Sequence, residues 1–182
     1  MLKNLKQFSK LKSELKNKVV DILLFGSAVK GKDKPNDIDI CLVFREKVDL
    51  DIVKKSQQIL GDEYHVSSLT VDNFFTKPHS LAKTLLLEGK SIFSRESFSG
   101  VFGLESKLIY SYDLSKEKPS KKVSFVHLMR GRGKNEGLII KWKGEFISRN
   151  SFLISIEKDN EVQEVFNKWE VKYNRRRVML MN

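Results

Sequence analysis

Two short apolar runs, joined by a Gly-Ser break and a pair of aspartates, constrain this chain more than any other feature. Val19-Val20-Asp21-Ile22-Leu23-Leu24-Phe25 reads as a buried strand over 19–25. Gly26-Ser27 ends it, where a residue without a side chain lets the backbone turn sharply and start a helical turn. Nine residues separate Ser27 from Asp37, and Asp37-Ile38-Asp39-Ile40 then opens a second apolar run ending at Phe44. With a side-chain period of two, a strand over 37–44 places Asp37 and Asp39 on one face and Ile38 and Ile40 on the other. Two carboxylates on one face repel each other unless a cation lies between them, and a divalent metal is the most economical choice.

A competing pattern overlaps the same residues. Gly26 to Lys32 spells G-x-x-x-x-G-K, most of a phosphate-binding P-loop. The next residue is Asp33, where that loop requires a Ser or Thr hydroxyl, and Lys34-Pro35-Asn36 stop the long helix it must launch. The P-loop reading is excluded on this context.

The residues that remain suit a phosphate group and a divalent cation. Gly26 allows phosphate to approach the main chain, and Ser27 offers both its hydroxyl and its amide N–H. Asp37 and Asp39 are hard oxygen donors of the kind magnesium takes, one or two carboxylates alongside phosphate oxygens. Lys30, Lys32 and Lys34 flank the stretch and are candidates to neutralise phosphate charge. The plainer alternative makes Asp37 a turn cap, Asp39 an edge-strand residue and the lysines a solvated loop.

The rest of the first hundred residues supplies strands and helices around this stretch. Leu2, Leu5, Phe8, Leu11 and Leu15 recur at helical spacing over 2–17, an apolar stripe fit to dock on the following sheet. Asp49 is placed to cap a helix over 50–60 that Gly61 terminates. Tyr64 to Leu69 reads as a third strand, Thr70 as the cap of a short helix with Phe74 and Phe75, and Pro78 to Glu88 as a further helix stopped by Gly89. Lys90 to Phe93 returns to the sheet, and Ser94 to Gly103 is a packed domain edge.

A strand, a Gly-Ser turn and an Asp-x-Asp on the neighbouring strand resembles the nucleotidyltransferase domain of the DNA polymerase beta superfamily, in its minimal form. The match rests on Gly26, Ser27, Asp37 and Asp39 and covers about residues 19–93. The resemblance implies an α/β (α+β) fold with a mixed-sheet nucleotidyltransferase core and flanking helices, here over 1–100. It also implies an NTP substrate, Mg2+ or Mn2+ on Asp37 and Asp39, and transfer of a nucleoside monophosphate as pyrophosphate leaves. Catalytically complete members carry a third carboxylate on a later strand. That strand is expected at Tyr64-His65-Val66-Ser67-Ser68-Leu69, which holds no acid. His65 stands on the corresponding face and is the candidate base, with Asp62 and Glu63 just ahead of the strand.

Residues 104–182 carry a net charge of +7 of the chain's +11 and are expected to form a smaller α+β C-terminal domain. Strands are expected over 107–112, 137–143, 152–156 and 171–181, with helices over 120–130 (Val123, Val126 and Met129 inward) and 160–169. Arg130, Arg132 and Lys134 form one basic cluster and Arg175, Arg176 and Arg177 a second, both candidates for contacts to a nucleic-acid backbone. Trp142, Trp169, Tyr110, Tyr112 and Tyr173 are candidate stacking surfaces; the plainer alternative puts Trp169, by its helical spacing, and most of the tyrosines in the core. The single cysteine, Cys41, falls in a buried strand and has no partner for an internal disulfide. No apolar run reaches the roughly 20 residues of a membrane span, and a soluble, cytoplasmic protein is the expectation.

Three functions follow. The first is transfer of a nucleoside monophosphate to an RNA hydroxyl, such as a tRNA end, or to a protein hydroxyl. The second is an RNA-binding module on a catalytically weak or inactive transferase fold. The third is an antitoxin-like partner of a small helical toxin.

Overall fold

A computed structural model describes residues 5–31, 37–76 and 80–181. Lys32, Lys34 and Pro78 lie outside these residues. The chain divides into two compact units, residues 1–105 with the last two residues, and residues 106–180.

The first unit is built on a four-stranded mixed sheet in the order β3-β2-β1-β4. Strand β1 (Asp21–Phe25) runs antiparallel to β2 (Ile38–Phe44) and to the short β4 (Lys90–Ser91), whereas β3 (Tyr64–Thr70) runs parallel to β2. A parallel neighbour requires a crossover, supplied here by helix α2 (Leu50–Leu60). Asp49 caps α2 by accepting from the amides of Asp51 and Ile52, and Gly61 ends it at φ +88°. Both are the expected signals at the expected residues.

Alternation along β1 and β2 divides the apolar residues between two cores. Ile22, Ile40, Leu42 and Phe44 face Leu11 and Leu15 of helix α1 (Leu5–Leu15), together with Leu60 and Tyr64. The apolar stripe of α1 therefore docks on the sheet. Leu23, Cys41, Val43 and Leu69 face the other way, against Phe74 of the short α3 (Asp72–Phe75), Ala82 and Leu85 of α4 (Ser80–Glu88), and Phe98. Asp39 and His65 continue this second face towards its end, because Phe25 pairs with Asp39 and Asp39 with His65. Thr70 does not cap α3 through its side chain; both its amide and its hydroxyl donate to Asn73 Oδ1.

The second unit is a smaller α+β body. Its sheet runs β10-β5-β9-β8, from Lys172–Met181, Leu104–Asp113, Ser151–Ser155 and Glu145–Ser148 respectively. Helices α5 (Pro119–Arg130) and α7 (Asp159–Lys168) pack on it through Phe125, Met129, Val162 and Phe166. A two-stranded hairpin, β6 (Gly131–Arg132) and β7 (Asn135–Glu136), follows α5.

Two expectations for this unit are corrected. The inward residues of α5 are Phe125 and Met129, four apart, whereas Val123 is 54% exposed. The bulkier aromatic sets the helix rotation, since it buries far more area than a valine. Residues 137–143 are not a strand: Leu138–Lys141 is one helical turn, α6. Ile139 and Trp142 are both buried, and a spacing of three brings both to the core only on a helix.

Candidate active site

Gly26 and Ser27 leave β1 in a single 3-10 turn, Gly26–Ala28, and Gly26 takes φ +75°. That conformation is open to glycine and strained for other residues. The same glycine abuts Asp39, and a Cβ there would overlap Asp39 Oδ2. The turn and the aspartate thus meet through main chain and carboxylate. Val29 closes the turn by donating its amide to Gly26 O at 3.3 Å, and is itself buried.

Asp39 lies near the start of β2 with its side chain 30% exposed. Asp37 lies one residue before the strand and is exposed. On β3, His65 Nδ1 stands 3.6 Å from Asp39 Oδ1, and the imidazole is largely exposed. Ser67, two residues on, is spent on the fold, donating its hydroxyl to Ile40 O at 3.0 Å. Asp62 and Glu63 occupy the exposed turn ahead of β3. Among the described residues, no three of His, Cys, Asp and Glu gather into a metal-holding group. The donor set nevertheless fits magnesium, which takes one or two carboxylates and completes its shell with phosphate oxygens and water. Asp37 and Asp39 are the residues that would hold it.

Lys30 follows the turn, but its ammonium lies on Glu88 Oε2 at 3.0 Å. The Glu88 side chain is 1% exposed, at the last residue of α4. In the sequence Glu88 marks only a helix end. The available signal was its position, since a carboxylate at a helix C-terminus opposes the helix dipole and needs a cation nearby.

Elsewhere, burial shifts two acids upward. Cys41 is fully buried beside the site, and burial pushes its thiol up to about 12. Asp21, at the start of β1, is raised from its ordinary value by burial, despite accepting from Ser91 Oγ at 2.9 Å and from the Ile22 amide.

The basic candidates of the second unit separate into two kinds. Arg130 donates to Ser148 O at 2.6 Å and lies 4.4 Å from the centre of the Phe146 ring. Arg175 pairs with the buried Asp159 at 2.6 Å, and the same carboxylate accepts from Tyr110. Arg132 and Lys134 stand exposed on the hairpin, and Arg176 and Arg177 stand exposed on β10. Tyr110, Tyr112 and Trp142 are buried in the core, with Tyr173 packed against it, so they are not stacking surfaces.

The sequence profile of the family "Polymerase beta, Nucleotidyltransferase" matches residues 9–98. No match is found among curated proteins. Solved structures with a likeness include a toxin–antitoxin complex with AMP-PNP, 22% identical over 49% of this chain and 72% of that one, with a TM-score of 0.36. A mutant MntA–HpeT toxin–antitoxin complex is 18% identical over 48% and 70%, with a TM-score of 0.35. A tri-AMPylated HEPN toxin of Shewanella oneidensis with its MNT antitoxin is 22% identical over 48% and 66%, with a TM-score of 0.32. Overlaps this small leave the fold to be read from the chain's own elements. Residues 9–98, and with them the Gly26-Ser27 turn and the two aspartates, thus match the polymerase beta nucleotidyltransferase family, in line with the resemblance of the sequence motif.

Proposed function

We propose that the first unit binds an NTP with Mg2+ or Mn2+ and transfers its nucleoside monophosphate to a hydroxyl of RNA or protein. The observation that carries this reading is the backbone of Gly26 set against the Asp39 carboxylate, within residues that match the family. Phosphate oxygens fit against the Ser27 amide and hydroxyl, where the turn leaves no side chain at Gly26 to obstruct them. A bound divalent ion would neutralise charge on the transferring phosphoryl group and the leaving pyrophosphate. Asp37 and Asp39 would hold that ion.

The acceptor oxygen forms a bond to the α-phosphorus as the bridging bond to the β-phosphate breaks, and the acceptor's proton must go to a base. His65 is assigned that role. With Nδ1 turned to Asp39, the other ring nitrogen, Nε2, takes the proton.

A second reading is favoured by one feature, the absence of an acid on β3 beside Asp39. In that reading the unit binds nucleotide and metal without turnover, and the exposed Arg132, Lys134, Arg176 and Arg177 serve RNA binding. Incubation with α-labelled NTPs, Mg2+ and either total RNA or candidate proteins separates the two. Transfer of label by the wild type, lost in Asp37→Asn/Asp39→Asn, supports the enzyme. Equal labelling by the double variant removes the assigned site, and RNA affinity without labelling supports the second reading.

A further inference from the structure

The Lys30–Glu88 pair has no role in the reading above, yet it is an expensive arrangement. Glu88 carries a carboxylate at the C-terminus of α4, where the helix dipole disfavours it, and its side chain is only 1% exposed. A buried charge of this kind persists only with a counter-charge, and Lys30 supplies it at 3.0 Å. Stability is a weak account of the pair, because replacing a buried ion pair with apolar residues is often neutral or stabilising. Its location is a stronger one. Lys30 is three residues beyond Ser27, and Val29 between them is buried and bonded back to Gly26 O.

At its near end the turn is fixed by Gly26 against Asp39, and at its far end by Lys30 on Glu88. Helix α4 is itself seated on the sheet through Ala82 and Leu85, in the same core as Leu23 and Cys41. The Ser27 amide and hydroxyl are therefore held between two anchors that both refer back to the sheet carrying Asp39.

We propose that Lys30 and Glu88 are positioning residues: their ion pair fixes the Gly26-Ser27 turn for the triphosphate, and neither side chain binds the nucleotide. The proposal rests on the nucleotide site proposed above. It differs from the simpler assignment of Lys30 to the phosphates, because there Glu88 competes with the ligand for the ammonium, whereas here Glu88 is required for binding.

The test is the dissociation constant of the tightest-binding of four fluorescent NTP analogues with Mg2+. It is measured for the wild type, Lys30→Met, Glu88→Gln, Lys30→Met/Glu88→Met and Asp39→Asn, with a melting curve for each. The expected result is binding about tenfold weaker or more in Lys30→Met, in Glu88→Gln and in the double variant. The double variant keeps the wild-type melting temperature, and in the labelling assay it raises KM for the nucleotide more than it lowers kcat. Glu88→Gln frees the ammonium, so wild-type or tighter binding by that variant overturns the proposal in favour of a direct phosphate contact. Wild-type affinity in a folded double variant overturns it in favour of a purely structural pair. Should Asp39→Asn bind as the wild type does, the nucleotide site itself is wrong and the proposal falls with it, an outcome distinct from the other two.

Discussion

A Cβ at position 26 has nowhere to go: φ is +75° and the space is filled by Asp39 Oδ2. Gly26→Ala is expected to cost about 1–3 kcal/mol in urea unfolding, from the strained backbone and the overlap together, and to abolish nucleotide binding. Asp21 makes a different prediction, with a definite sign. Burial raises its folded pKa, so the fold favours the neutral acid. That contribution is fully present below the unfolded value, about 3.9, and is lost as pH rises through the folded one. Asp21→Asn keeps an Oδ1 to accept from Ser91 and Ile22 and never ionises. Its melting temperature should equal the wild type's below that window, exceed it increasingly through the window, and keep a constant excess above it. Equal melting temperatures at pH 7 would contradict the assignment. The meeting of the Gly26-Ser27 turn with Asp39 was legible in the sequence because a Gly-Ser break and an aspartate stand at set spacing between two apolar runs. The Lys30–Glu88 pair was not, because its partners lie 58 positions apart and only the packing of α4 on the sheet brings them together.

At the level of the element, signals that are local and specific survived into the structure. Asp49 and Gly61 bound α2 because side-chain capping and a glycine at positive φ are decided within a few residues. The β1, β2 and β3 runs kept their places because alternation of apolar residues fixes both strand and face. Where the apolar run was short or the choice lay between similar stripes, the sequence was ambiguous. Leu138-Ile139-Ile140 suits strand and helix equally, and burial of Ile139 with Trp142 decides for the helix. On α5 the decision falls to Phe125, fully buried among Tyr112, Phe166 and Trp169, rather than to Val123. Phe125→Ala should therefore cost about 3–5 kcal/mol, and Val123→Ala less than about 0.5 kcal/mol, in chemical denaturation of the full chain. Similar costs for the two would restore the valine stripe.

Across the whole molecule, function is unevenly legible. Residues 9–98 match a family whose chemistry the motif implies, whereas residues 104–182 offer chiefly a charge of +7. The structure divides even that charge by use, since Arg130 and Arg175 are engaged within their own unit while Arg132, Lys134 and Arg176 stand exposed. Charge alone indicates an anionic partner without choosing it, and no helix among the described residues is long and apolar enough to cross a membrane. What we propose for the first unit is narrower: the Gly26-Ser27 turn and the Asp37-Asp39 pair form one site for nucleotide and divalent metal. Calorimetric titration of a non-hydrolysable NTP into the full chain, with Mg2+ and then with a chelator, tests it most directly. The account predicts saturable one-site binding with Mg2+ that is lost with the chelator and in Asp37→Asn/Asp39→Asn. Binding of equal strength without metal, or in the double variant, would contradict it.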